Sequence, residues 1–200
     1  QACLFNNFFA STFVQDNNVI PPFPSRVSGD IGINTVHFTS VNVCRKLNRL
    51  KSNSAGGPDL LSPIFLKKTA PVVGPLLAQM FETFFLNSYV PQIWRTAYVR
   101  PVFKSGDSSA VSNYRPISLT CTSCKVMESI ICDQVLDYLR EHNSITKHQH
   151  GFISKRSTCT QLLESFHDWS LDLHNKLSLD VVYLDFSRAF DSLVHSKLLA

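Results

Sequence analysis

Near the C-terminal end of the sequence, Val181-Val182-Tyr183-Leu184 is an apolar, β-branched and aromatic run that stops at a carboxylate, Asp185. The run suits a buried strand and is too short for a helix. Phe186-Ser187-Arg188-Ala189-Phe190 then turns the chain into a helical pattern running toward Leu199. A buried strand needs a sheet, so this stretch predicts a mixed architecture. An acid at the end of such a strand has two uses. One is structural, as a helix cap or ion-pair partner. The other is to hold a divalent cation that a phosphate can share.

The elements upstream bear on that choice. Phe5, Phe8, Phe9, Thr12 and Phe13 share one helical face, and Pro21, Pro22, Pro24, Gly29 and Gly32 mark a linker up to Ser40. Val41 to Leu50 is amphipathic, with Arg45, Lys46 and Arg49 on its polar side. The turn cluster Ser54-Ala55-Gly56-Gly57-Pro58-Asp59 breaks that helix and lets the backbone pass close to a neighbour. Pro63 to Ala70 and Pro71 to Ser88 read as two helices, the second with a broad apolar face from Val72 to Phe85 that reads as core.

Thr96–Phe103 and Tyr114–Thr120 are strand-like and joined by a long polar loop, which predicts a hairpin with a base at each edge, Lys104 and Arg115. Such bases serve as surface charge or clamp an anion, Arg as a planar fork and Lys as a point charge. Ser123 to His142 has the apolar spacing of a helix that Ser123 can cap. The basic loop Gln149 to Thr158, with Lys155 and Arg156, leads into a helix to about Lys176 whose apolar face is Leu162, Leu163, Phe166, Trp169 and Leu173. Lys155 and Arg156 fit a phosphate contact or a solvated loop. The element order predicts an α+β fold, an antiparallel sheet with helices on one side.

Charge is uneven: ten bases against three acids between residues 45 and 115, eight against ten from 116 onward. A basic middle beside an acidic end suits a chain that grips a phosphate backbone with one part and metal with another. No run of about 18 apolar residues suggests a membrane span. The six cysteines lack a disulfide framework, and Cys121-x-x-Cys124 has no second pair to complete a zinc site, so reduced thiols in an intracellular protein are expected.

Five motifs occur in a fixed order across residues 54–192, and together they resemble the reverse transcriptases of non-LTR, LINE-type retrotransposons. They are Gly56-Gly57-Pro58-Asp59; Trp94 to Asp107 followed by Asn113-Tyr114-Arg115-Pro116-Ile117-Ser118-Leu119; Lys125-Val126-Met127-Glu128; Gln149-His150-Gly151-Phe152 with Arg156-Ser157-Thr158; and Asp185-Phe186-Ser187-Arg188-Ala189-Phe190-Asp191. The resemblance implies the fingers and the first part of the palm of a right-hand polymerase, residues 41–200, preceded by a helix and linker in residues 1–40.

It further implies that Asp185 and the backbone carbonyl of Phe186 ligate Mg²⁺ for two-metal nucleotidyl transfer. Lys104 and Arg115 would grip the triphosphate. Phe190 would lie under the nucleotide sugar, excluding a 2′-hydroxyl, and Lys155 and Arg156 would meet nucleic acid. Asp191 is expected to be structural. The partners implied are an RNA template, a DNA primer or target and deoxynucleotide triphosphates, in the nucleus or a cytoplasmic ribonucleoprotein particle, with no membrane.

The family's Tyr-x-Asp-Asp hairpin does not occur in these 200 residues, and no Asp-Asp pair occurs at all. The isolated chain is therefore expected to be inactive and, with palm strands missing, poorly soluble. Three other readings are a non-catalytic nucleic-acid-binding remnant, a group II intron-type reverse transcriptase and a generic α+β interaction domain. The long polar hairpin loop and Tyr114-Arg115-Pro116-Ile117-Ser118 favour the LINE type.

Overall fold

The structure is a computed structural model that describes residues 1–14, 16–20, 22, 32, 33, 35–186, 189 and 193–198. It divides into two compact units, Gln1–Asp137 with Asp191–Ala200, and Tyr138–Phe190.

The first unit is organised on α2 (Ser40–Asn48), α3 (Pro63–Lys68), α4 (Ala70–Leu86) and the first four turns of α5 (Thr122–Glu141). Each start has a local cause. The Thr39 side chain accepts from the Asn42 N–H to cap α2, and Ser62 does the same for α3 from Phe65, with Pro63 in the first turn. Val43, Leu47, Leu66, Ala70, Leu77, Phe81, Val126 and Ile130 form the core, joined by Val36 and Phe38 from the segment before α2. That segment is pinned to α5 by Gln134, whose amide accepts from the His37 N–H at 2.9 Å and donates to the His37 carbonyl at 3.0 Å.

Two glycines set close approaches. A Cβ on Gly74 of α4 would stand 2.3 Å from Cys44 Sγ of α2, so the absent side chain is what lets these helices pack so tightly. A Cβ on Gly57 would stand 2.4 Å from the Cys121 nitrogen and 2.5 Å from the Thr120 carbonyl. The turn cluster thus does pass close to a neighbour, and the neighbour is the backbone where the hairpin joins α5.

The sheet is one antiparallel hairpin, β1 (Tyr98–Phe103) with β2 (Tyr114–Leu119), in the register Tyr98↔Leu119 to Phe103↔Tyr114. A 3₁₀ turn at Gln92–Arg95 roots it, because Trp94 packs edge-on against Phe81 and Phe84 of α4. The N-terminal α1 (Ala2–Ala10) packs Phe5 edge-on against Tyr114 with ring centroids 4.8 Å apart. The four-residue α7 (His195–Leu198) lies near Asp16 and Asn17, to which Ser196 and Lys197 donate.

The second unit holds the end of α5, a loop, α6 (Thr158–His174) and an irregular tail. No helix is long and apolar enough to cross a membrane among the described residues.

Three expectations are corrected. Val181 to Leu184 is irregular and exposed, because among the described residues β1 and β2 pair only with each other and offer this run no ladder. The α6 face of Leu162, Leu163, Phe166 and Leu173 is exposed, since helical periodicity shows where an apolar face lies and not whether anything covers it. In α4, Leu77 and Phe81 are core, but Val72, Leu76 and Met80 are exposed, so its broad apolar face is buried along one stripe only.

Candidate nucleotide and nucleic-acid site

In an antiparallel pair, alternate residues share a face and directly opposed residues share the same face. With Val102 opposite Arg115 and Arg100 opposite Ile117, one face of the hairpin carries Arg100, Val102, Arg115 and Ile117. Lys104 continues it, because its N–H donates to the Asn113 carbonyl at 2.8 Å and so keeps the ladder for one more residue. Lys104 and Arg115 are therefore diagonal neighbours on one face, as an anion clamp requires. Arg100 joins them. All three are exposed, and among the described residues none is ion-paired. The opposite face carries Val99, Pro101, Phe103, Pro116 and Tyr114, and α1 lies against it. The hairpin is thus apolar on one side and triply cationic on the other.

The loop joining the strands is tied rather than slack. Asp107 accepts from the Ser109 N–H at 2.9 Å and the Ser109 hydroxyl at 2.7 Å, and these two bonds hold its carboxyl below the usual carboxylate range. Asn113 donates to the Asp107 carbonyl and the Tyr114 hydroxyl to that of Ser108. Gly106 sits at φ +89°, where an L side chain is strained.

At the hairpin's other end, the Ser123 hydroxyl lies 3.5 Å from the Asp59 carboxylate, beside the Gly57 contact. The Gly-Pro-Asp cluster thereby fixes where β2 turns into α5. Cys121 and Cys124, in the same corner, are buried. Burial, reinforced by Glu128, pushes the Cys124 thiol up to about 12, so at neutral pH it is a protonated core group.

In the second unit, the loop before α6 is built around Glu164. Its carboxylate accepts from His150 Nε2 at 2.7 Å and stands 2.8 Å from His148 Nδ1, and these bonds, with His150 the larger contributor, lower its pKa. His150 is buried, and its other nitrogen meets Thr160 Oγ1 at 2.9 Å. Thr160 and Ser157 cap α6 reciprocally. Arg156 donates to the carbonyls of Lys147 and Gln149, at 2.8 Å for the latter. Its guanidinium staples the loop, whereas Lys155 is exposed, at φ +66°.

Asp185 and Phe186 lie exposed in the irregular tail of the second unit. Phe190 and Asp191 fall outside the described residues. The structure therefore gathers Lys104 with Arg115 on one hairpin face and Lys155 with Arg156 on one loop. Sequence reading missed Arg100 and the His148–Glu164–His150 clamp. A count of two from Lys104 back through Val102 to Arg100 would have found the first. Nothing in the spacing of residues 148 to 164 signals the second.

Residues 103–200, from the last residue of β1 onward, match the family model described as reverse transcriptase (RNA-dependent DNA polymerase). Nearly half of the chain is thus similar to reverse transcriptases. It is 29% identical over 152 residues to the RNA-directed DNA polymerase from mobile element jockey of Drosophila melanogaster, a match covering 76% of this chain and 17% of that protein. From the same organism, the probable RNA-directed DNA polymerase from transposon BS is 28% identical over 142 residues (66% of this chain, 15% of that protein). That from transposon X-element is 25% identical over 162 residues (80% and 18%). The chain thus spans under a fifth of the length of the curated relatives it matches.

Proposed function

We propose that the chain is a fragment of an RNA-directed DNA polymerase of a LINE-type retrotransposon, comprising its fingers and the start of its palm. The observation that carries the reading is the cationic hairpin face, with Lys104 and Arg115 diagonal across the ladder and Arg100 beside them. Three cations on a rooted hairpin, unpaired among the described residues, can hold a nucleotide's triphosphate and stabilise charge developing on the transferring phosphate. The mobile-element polymerases among the relatives support the lineage.

Asp185 and the Phe186 carbonyl are the residues we assign to Mg²⁺, which would activate a primer hydroxyl and neutralise the leaving pyrophosphate. Both are hard oxygen donors of the kind this ion takes, but they fill only part of an octahedral shell. Among the described residues no group of three His, Cys, Asp or Glu stands together to complete it. Phe190 is assigned to the nucleotide sugar, and RNA template and DNA primer are the proposed partners.

Titrating the chain with a fluorescent deoxynucleoside triphosphate tests the hairpin. Lys104→Ala and Arg115→Ala should each weaken binding about five- to tenfold, the worth of one partly exposed charge-assisted contact. Wild-type affinity in the double variant would refute the assignment.

A further inference from the structure

β1 has one backbone edge that faces away from its partner. The Lys104 N–H bonds the Asn113 carbonyl at 2.8 Å, and the alternation of an antiparallel ladder then fixes the direction of every other residue. Tyr98, Arg100 and Val102 turn their N–H and C=O toward β2, while Val99, Pro101 and Phe103 turn theirs outward. Pro101 and Pro116 both fall at outward positions, where a missing N–H takes nothing from the ladder. Among the described residues the sheet has two strands, so the outward N–H and C=O of Val99 meet no third one. Val99 is itself exposed.

Beside this edge, α1 and β1 enclose a cavity of about 690 Å³. Phe5 and Phe9 of α1 face Ala97, Val99 and Pro101 of β1 across it, and Asn6 adds an amide. No β2 residue lines the cavity, so it opens on the outer side of β1. No Asp, Glu, Lys or Arg lines it either. Its size and apolar walls are those of a pocket that takes a bulky uncharged group.

An open backbone donor and acceptor beside an uncharged apolar cavity are met together by an extended peptide. Its main chain pairs with the edge, and a side chain on the Val99 face enters under α1. A small apolar molecule would leave the edge unused, and a charged side chain would find no counter-charge in the cavity.

We propose that β1 accepts an extended peptide segment of a partner protein as a third strand at Val99, with an uncharged, bulky apolar side chain seated between α1 and β1. Pro101 offers only its carbonyl, so the added ladder is short and the seated side chain supplies the rest of the hold. None of the residues assigned to the nucleotide or the metal takes part, and the proposal stands or falls apart from the polymerase reading.

Selection of phage-displayed random peptides of roughly eight residues on the immobilised chain tests it. Enriched sequences should alternate, with bulky apolar residues at one parity and no charge there. The strongest binder is then synthesised with a fluorescein label and titrated by anisotropy. Methylating its amide nitrogens in turn should weaken binding about fivefold at the parity that faces β1, the worth of one lost hydrogen bond. Val99→Pro, which removes the outward donor as Pro101 already does, should weaken it by about the same factor. Ala97→Phe, which fills the cavity, should weaken it about tenfold or more. Failure of the library to enrich such sequences would overturn the proposal. So would binding that survives nitrogen methylation at both parities, a result that requires no variant to fold. A Val99-dependent dimer of the chain alone in sedimentation would assign the edge to a second copy and overturn it too.

Discussion

Gly57→Ala tests whether the Gly-Pro-Asp cluster is a structural bolt on the root of the hairpin. The added methyl would lie 2.4–2.5 Å from three backbone atoms of Thr120 and Cys121, against ordinary contacts of 3.4 Å or more, so about 1 Å of separation must be found. No rotamer change supplies it, because all three atoms are main chain. Overpacking of this kind costs about 1–3 kcal/mol, and backbone against backbone belongs at the upper end. Restricting the unfolded chain returns about 0.4–1 kcal/mol. A net loss of about 2 kcal/mol is expected, which for a chain of this size lowers Tm by roughly 4–8 °C. Gly32→Ala is the matched control, since nothing lies within 4 Å of its Cβ position. Thermal melts followed by circular dichroism measure both. A Gly57→Ala melt within about 1 °C of wild type would refute the bolt, given the sensitivity of Tm to a loss of that size.

Glu164 has a lowered pKa through its bonds to His150 and His148. A depressed carboxylate contributes stability that is present above its ordinary pKa of 4.5 and is lost as pH falls through the folded value. Urea melts of the wild type should therefore weaken below that range more steeply than those of Glu164→Gln, and parallel curves would contradict the clamp. Among the cysteines, Cys3, Cys132 and Cys159 are exposed while Cys121 and Cys124 are buried. Brief treatment with a thiol reagent on the native chain should label the first three and spare the buried pair, whose thiols are held protonated. Fast labelling at Cys124 would show that the corner is open. Arg100→Ala should weaken triphosphate binding by an amount comparable to Arg115→Ala, and an unchanged Kd would remove Arg100 from the cationic face.

Local chemistry explains what could be read in the sequence. The hairpin was legible because period-two patterning and a polar connection identify strands whatever surrounds them. Helices α2 to α6 were legible because apolar residues at helical spacing are a local signal, although the one cap expected, Ser123, lies inside α5 as its second residue. The errors at Val181–Leu184 and along α6 have one origin, since a strand or an apolar face is completed by a partner that its own sequence does not specify. The fastening of Arg156 was illegible for a related reason: nothing in a basic loop shows that one guanidinium nitrogen donates to the carbonyls of Lys147 and Gln149. The Glu164 clamp spans 16 residues to His148 and leaves no periodic trace.

The most direct test of the polymerase assignment is RNA-templated primer extension. The subject is a polypeptide of the relatives' length into which these 200 residues are placed at the matching positions, compared with its Asp185→Ala variant and with the 200-residue chain alone. Extension by the long polypeptide that disappears in Asp185→Ala, with none from the short chain, is the predicted result. Extension that survives Asp185→Ala undiminished would contradict the account.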